Sequence, residues 1–149
     1  MSNDTLKAKG RVSIVLKDKE GNVKETREVD NLIVDTGLDY IASRMKDATA
    51  TAMTHMGLGS GTTAAAAGDT DLESLLGSRE ALDSTTVTDN TITYVASFEA
   101  GDATGAVTEM GLFNASTSGT MLARVVFSVV NKQADDTMTV THTITISAS

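Results

Sequence analysis

The stretch "TMLARVVFSVVNKQADDTMTVTHTITIS", residues 120–147, contains the two patterns that decide the fold of this chain. Residues 121–130 are apolar at odd and even positions alike, which is typical of a central strand covered on both sides. Residues 138–147 instead alternate between two faces. One of these faces carries threonines, and the other carries Val140, His142, Ile144 and Ile146. The turn-rich "KQADD" separates the two patterns, so the stretch predicts two strands of a β protein.

The same alternation and turn signals extend over most of the chain. Residues 6–17 and 23–34 predict a hairpin around the turn "DKEGN". Further strands are predicted at 51–58, 79–87, 91–99 and 106–113. The sequence therefore predicts a mainly β protein, an antiparallel β-sandwich of jelly-roll-like or Greek-key type. We expect one compact domain made of an N-terminal hairpin or docking segment (1–34), a short helix (35–47) and a sandwich core (48–149).

The predicted helix begins with "DTGLDYIASRMK" at residue 35. Asp35 or Thr36 suits the N-cap, and two cations fall in the last turn, where the helix dipole favours them. The apolar residues with the i, i+3, i+4, i+7 spacing of one helix face are Leu38, Ile41, Ala42 and Met45.

Composition and charge exclude several classes of function. The chain has 149 residues and no Cys, so neither a disulfide nor a thiolate metal site is possible. Residues 47–149 carry twelve Asp and Glu against three Lys and Arg, a net charge of −9, which argues against nucleic acid as a partner. The sequence shows neither an export leader nor an apolar run near eighteen residues, so no membrane partner is expected.

The run "MGLGSGTTAAAAGDTDL" (56–72) has the look of a phosphate-binding loop. However, its spacing is G-x-G-x-G, without the lysine of a P-loop and without the βαβ context of a dinucleotide fingerprint. We therefore interpret it as a small-residue connection between strands. In an assembly of several subunits, such a loop could lie flat at an interface, with Gly59 and Gly61 as the candidate contact residues.

No other pattern predicts catalysis or a bound metal or cofactor. His55 and His142 are the two histidines, and neither has a partner at metal-ligand spacing. The acidic run at residues 69–73 lacks the central glycine and the later glutamate of a calcium loop. No G-x-S-x-G nucleophile elbow is present. The sequence thus predicts no catalytic, cofactor-binding or metal-binding residues, and a protein that is not an enzyme.

Two groups of charged residues are candidates for contacts. The hairpin cations are the natural docking charges, with a solvated hairpin as the alternative; they are Arg11, Lys17, Lys19, Lys24 and Arg27. Glu109 and Arg124 lie on strands that are otherwise apolar on both sides. Because an unpaired charge there is costly, these two residues are predicted to form a buried or interfacial ion pair.

An ordered series of motifs resembles a family of small bacteriophage virion proteins. The series comprises "VDNLIVDTGLDYIASRM", "MGLGSGTT", an "L…R" segment, "NTITYVASF", "TEMGLFNA", "MLARVVF" and the alternating terminal strand. His142 departs from the pattern, where an aromatic residue is expected, and this affects local packing. The resemblance implies a structural role without catalytic residues, in a protein made in the cytoplasm of the host bacterium.

Within that family the first expectation is a capsid decoration (cement) or head-surface protein. It would form a homotrimer, bind the major capsid protein or another virion protein, and lie on the outer surface of the virion. The predicted last strand closes the sequence, which favours decoration over a receptor-binding fibre. A tail-fibre or collar adaptor is the alternative, and a carbohydrate-binding module is a more distant one, disfavoured because the chain has no Trp.

Overall fold

A computed structural model describes residues 6–47 and 50–148 of the chain. The described part is mainly β, with one short helix. Its elements in chain order are β1 (Leu6–Lys17), β2 (Val23–Ile33), α1 (Asp35–Asp47), β3 (His55–Gly59), β4 (Glu80–Ala81), β5 (Ser84–Thr88), β6 (Thr91–Phe98), β7 (Gly105–Phe113), β8 (Met121–Lys132) and β9 (Thr137–Ala148).

The nine strands form one antiparallel sheet in the order β4-β3-β7-β8-β2-β1-β9-β6-β5. The sheet curls into a half-barrel, so the mainly β, antiparallel part of the prediction is confirmed, whereas a sandwich is not. Strand β2 joins the two halves: it pairs with β1 along most of its length, but with β8 only at Leu32 and Ile33. Strands β8 and β9 are consecutive in sequence, yet β2 and β1 lie between them in the sheet.

A second join lies at residues 80–88, where the sequence predicts one strand and the structure has two. Strand β4 pairs with β3 at one edge of the sheet, and β5 pairs with β6 at the other. Only Leu82 and Asp83 separate them; the amide of Leu82 donates to Thr54 O, and that of Asp83 to Val95 O. The two edges of the sheet are thus brought near each other by a two-residue step.

The N-terminal hairpin lies at the centre of the sheet. Strand β1 is hydrogen-bonded to β2 on one side and to β9 on the other, and its Val12, Ile14 and Leu16 are buried. The segment that the sequence sets apart at residues 1–34 therefore includes part of the core. Its removal would expose the middle of the sheet, so deleting it cannot test docking alone.

The core fills the concave side of the sheet. Its inward-facing side chains come from both halves and form one cluster that includes Leu16, Met56, Leu58, Tyr94, Phe98, Met110, Leu112, Leu122, Met138 and Val140. The alternation predicted for β9 is observed, since Val140, His142 and Ile144 are buried. In β8, residues 121–125 are buried, whereas Ser128 and Val129 are exposed, so only the first half of that strand is covered on both faces.

Helix α1 packs on the first half of β8, and its buried face is not centred on the apolar repeat. Leu38 and Met45 are 48% and 76% exposed, whereas Tyr40 is buried. The reason is the close approach at Gly37, where a Cβ would lie 2.1 Å from the carbonyl oxygen of Leu122. This contact turns the side of Gly37 and Tyr40 toward the sheet and leaves part of the apolar repeat in solvent.

Gly37→Ala should therefore lower the free energy of unfolding by at least about 2 kcal/mol, because the added methyl group meets backbone that cannot rotate away. This cost exceeds the gain of about 1 kcal/mol in helix propensity. Urea unfolding followed by circular dichroism measures the change. Gly68→Ala is the matched control, since a Cβ there meets no atom within 4 Å. Equal stability of the two variants would contradict the proposed close packing.

Candidate functional site

The glycine loop that follows β3 surrounds the side chain of Glu109. This residue, from β7, is 0% exposed. Its Oε2 accepts hydrogen bonds from the amides of Gly61 (2.9 Å) and Ser74 (2.8 Å), and its Oε1 accepts one from the amide of Glu73 (3.0 Å). Three backbone amides thus bind one buried carboxylate, an arrangement in which each charge-assisted hydrogen bond is strong.

Arg124, from the neighbouring strand β8, completes the binding of Glu109. Its Nε donates to Glu109 Oε1 at 3.0 Å and its Nη1 donates to Asp69 Oδ2 at 2.9 Å. Its Nη2 lies 3.0 Å from the same Glu109 oxygen without hydrogen-bond geometry, which makes it an ion-pair contact only. Burial opposes the charge on Arg124, but its hydrogen bonds to Asp69 and Glu109 outweigh burial and raise its pKa. The two residues paired from the sequence are therefore in direct contact inside the protein.

Gly59, the last residue of β3, and Gly61, in the loop, make room for this carboxylate. A Cβ at Gly59 or at Gly61 would lie 2.5 Å from Glu109 Oε2, and at Gly59 also 2.5 Å from the carbonyl oxygen of Ser74. The amides that a phosphate-binding loop would present to a ligand here serve the protein's own carboxylate. Sequence reasoning named both glycines and Glu109, but it did not connect them.

The acidic run after the loop is likewise occupied by groups of the protein. Glu73 accepts hydrogen bonds from the amides of Thr62 and Thr63 and from the Thr63 hydroxyl. The hydroxyl bond and then the amide bonds lower the pKa of Glu73. Asp69 binds Arg124, and Asp71 lies 3.4 Å from Arg79. These carboxylates hold the loop in place through hydrogen bonds and ion pairs, as expected for a structural turn.

Arg79 anchors a second loop, which sequence reasoning missed. Its guanidinium carbon lies 3.4 Å from the centroid of the Phe113 ring, and its Nη1 donates to the carbonyl oxygens of Ala115 and Ser118. Ser118 has a φ of 54°. The contact combines a cation–π interaction with hydrogen bonds to a strained turn. The one sequence feature that pointed to this contact is the arginine that ends the "L…R" segment.

Three of the five hairpin cations are paired within the protein. Arg11 lies 2.9 Å from Glu28, Lys24 lies 2.7 Å from Asp136, and Arg27 contacts Glu25. Among the described residues, Lys17 and Lys19 have no ion-pair partner, and both are exposed. The predicted docking charges therefore reduce to these two side chains at the hairpin turn.

The cations of residues 50–148 are all internal. The side chains of Arg79 and Arg124 are 5% and 2% exposed, and Lys132 is 1% exposed, with its Nζ donating to the carbonyl oxygen of Glu99 at 2.8 Å. Burial lowers the pKa of Lys132. The exposed charge of this part of the chain is consequently acidic, whereas the exposed cations lie on β1, on β2, in the turn between these strands and on α1.

The two histidines differ in surroundings. His55 is half-buried and lies 2.8 Å from the hydroxyl of Thr54. His142 is 0% exposed, and its Nε2 lies 2.6 Å from Asn31 Nδ2, whose side chain crosses β1 at Gly10. Burial lowers the pKa of His142 to about 3. His142 therefore stays neutral in the folded protein and acts as a packed core residue.

Glu109→Gln should lower the free energy of unfolding by about 3 kcal/mol, because it leaves the buried cation of Arg124 without its main partner. Arg124→Met added to Glu109→Gln should recover part of that loss, since the double variant buries no unpaired charge. Urea unfolding of the four proteins of this cycle gives the coupling. As a control, Arg11→Gln, at an exposed pair, should stay close to the wild type. Additive effects would contradict the direct coupling.

The burial of His142 predicts a loss of stability in acid. Its ordinary pKa of 6.5 applies to the unfolded chain, and about 3 applies to the fold. Between these two pKa values the unfolded state binds a proton on His142 and the folded state does not. The free energy of unfolding therefore falls by about 1.4 kcal/mol per pH unit as the pH decreases from 6.5 toward 3.

Urea unfolding between pH 7 and pH 4 tests this dependence. His142→Gln should flatten the slope by that amount, whereas His55→Gln should leave it as in the wild type. The same slope in both variants would assign the acid sensitivity to other groups.

Within residues 6–47 and 50–148, no three His, Asp or Glu side chains are placed to hold a metal ion, and no helix has the length and apolarity of a membrane span. Comparisons with protein-family models, with curated proteins and with solved structures found no match to this chain.

Proposed function

We propose that this chain is a bacteriophage virion structural protein, most specifically a capsid decoration or head-surface protein without catalytic activity. The observation that carries the proposal is that the motifs of the family resemblance meet in one place. Gly61 of the glycine loop, Glu109 of "TEMGLF" and Arg124 of "MLAR" are in direct contact. The "L…R" segment contributes Arg79, which packs on Phe113 of "GLFNA". The resemblance thus rests on residues that act together in the core.

The surface supports a role in assembly. The convex face of β6 and β9 carries cross-strand threonines, with Thr91 opposite Thr145 and Thr93 opposite Thr143 and their hydroxyl oxygens 3.5 Å apart. These side chains are only half exposed. Each threonine hydroxyl can both donate and accept a hydrogen bond, which suits contact with further copies or with a shell. The homotrimer and the sandwich arrangement belong to this proposal as predictions.

The alternative of a tail-fibre or collar adaptor uses the same surfaces and differs in its place on the virion. The carbohydrate-binding module receives less support. All five aromatic side chains are buried: Tyr40, Tyr94, Phe98, Phe113 and Phe127. Among the described residues, therefore, none offers the exposed ring on which a sugar stacks.

Purified protein should bind to capsids from which it is absent, and virions should contain it in hundreds of copies, as the symmetry of a shell requires. Quantitative gel analysis of virions and co-sedimentation with capsids measure the two quantities. On the order of a dozen copies per virion would favour the tail adaptor. Failure to bind capsids would overturn the decoration role.

Lys17→Gln combined with Lys19→Gln should slow association with the capsid, and the effect should shrink as salt is added. Lys7→Gln combined with Lys9→Gln, two exposed cations at the other end of β1, is the matched control for the change in net charge. An equal effect of the two changes would mean that the hairpin turn is not the docking site.

A further inference from the structure

Strand β5 is a free edge without the usual protection. It pairs with β6 on one side, and the described residues place no strand on its other side. All five of its residues, "STTVT", are exposed. They include no lysine and no proline, and the pairing with β6 shows no bulge. Edge strands of stable proteins usually carry one of these devices, because an open edge is a template for another strand.

A cleft of about 480 Å³ lies beside this edge, between the inner side of β5, β6 and β9 and the helix α1. Its lining is almost entirely apolar and includes Val87, Ile92, Ile144, Met53, Ile41 and Met45. Val87 is 68% exposed and Met45 is 76% exposed. Two apolar side chains on opposite walls of the cleft are thus left in water.

The polar groups of the cleft favour an anion. Arg44 lines it from α1 and is exposed, with its Nη1 donating to the carbonyl oxygen of Ala50 at 2.8 Å. Tyr94 lines it from β6; burial raises the pKa of its phenol to about 12, so that it remains a donor. Among the residues that the structure describes, no carboxylate lines the cleft. A chain that is acidic overall therefore presents a cation and a hydroxyl donor here.

One additional strand could use the open edge of β5 and the cleft together. A strand added beside β5 would lie about 4.8 Å from it, and its alternate side chains would point to the same side as those of β5. On that side Thr85 and Val87 line the cleft. Every second side chain of the added strand would therefore point toward the cleft, which Met45 and Arg44 line from α1.

We propose that β5 and the cleft bind an extended segment of a partner protein, which adds to the sheet as a further strand. The segment places an apolar side chain between Val87 and Met45 and a carboxylate at Arg44. A second copy of β5 is the weaker candidate, since "STTVT" brings no carboxylate to Arg44. The inference goes beyond the virion role and does not depend on it.

A synthetic peptide tests the proposal with the full-length protein. The probe is an eight-residue peptide of alternating valine and threonine that ends in glutamate, with a fluorescent label at its N-terminus. Fluorescence anisotropy should show saturable binding, and hydrogen exchange should show new protection of the amides of β5. The same peptide with alternate backbone nitrogens methylated should bind at least about tenfold more weakly, because it cannot form the strand ladder.

Matched variants separate the two side-chain contacts. Arg44→Gln should weaken binding of the acidic peptide about tenfold, yet leave unchanged the binding of a peptide that ends in glutamine amide. Lys46→Gln, at an exposed cation of α1 that does not line the cleft, should affect neither peptide. Val87→Ser should weaken the binding of both peptides. Because Arg44 and Val87 are exposed, these variants should unfold at the wild-type urea concentration.

Three results would overturn the proposal: no binding at millimolar peptide, binding that protects no β5 amide, or equal effects of Arg44→Gln on the acidic and amide peptides. Self-association of the protein that Val87→Ser abolishes and that the peptide does not compete with would also overturn it, in favour of a second copy. Capsid binding by the protein is measured separately, so failure here leaves the decoration role to its own test.

Discussion

The carboxylate of Glu109 lies out of reach of solvent, and much of the surrounding structure is arranged to keep its charge there. A buried anion is tolerated only when hydrogen bonds replace its hydration. Here three backbone amides and Arg124 do so. This requirement explains why glycine stands at the end of β3 and again two residues later, why the loop returns past Glu73 and Ser74, and why β7 and β8 carry opposite charges. One electrostatic constraint thus sets the path of the chain between β3 and β4.

The curl of the sheet depends on two places where the chain changes partners. Strand β2 passes from β1 to β8 at Leu32 and Ile33, and the segment from β4 to β5 passes from β3 to β6. The first joins the two halves of the sheet, and the second brings its edges together without closing it. Helix α1 lies against β8, and the cleft lies between that helix and the open edge at β5. The site inferred for a partner strand is therefore a consequence of a barrel that is left incomplete.

How far the sequence could be interpreted varies with the range of the interaction. The alternation of β9 and the helix spacing after Asp35 are local, and both elements are found where they are expected. The pairing of Glu109 with Arg124 also follows from local reasoning, since each charge lies in an apolar strand and has few partners of opposite sign. By contrast, no local pattern in the hairpin indicates that Lys24 forms an ion pair with Asp136, which is distant in sequence. The buried face of α1 is not centred on the apolar repeat because Gly37 meets β8, and the helix pattern alone contains no information about β8.

The sequence alone determined a mainly β antiparallel chain with one helix and the ion pair of Glu109 with Arg124. It also showed that the glycine run lacks the spacing of a nucleotide-binding loop. These features depend on residue type and near-neighbour spacing, which are present in the one-dimensional text. Only the tertiary structure decided that the glycine loop binds Glu109, that β1 and β2 lie at the centre of the sheet, and that β5 remains open beside an apolar cleft. Each of these depends on which distant strands become neighbours, and that choice is made by burial and hydrogen bonding over the whole fold.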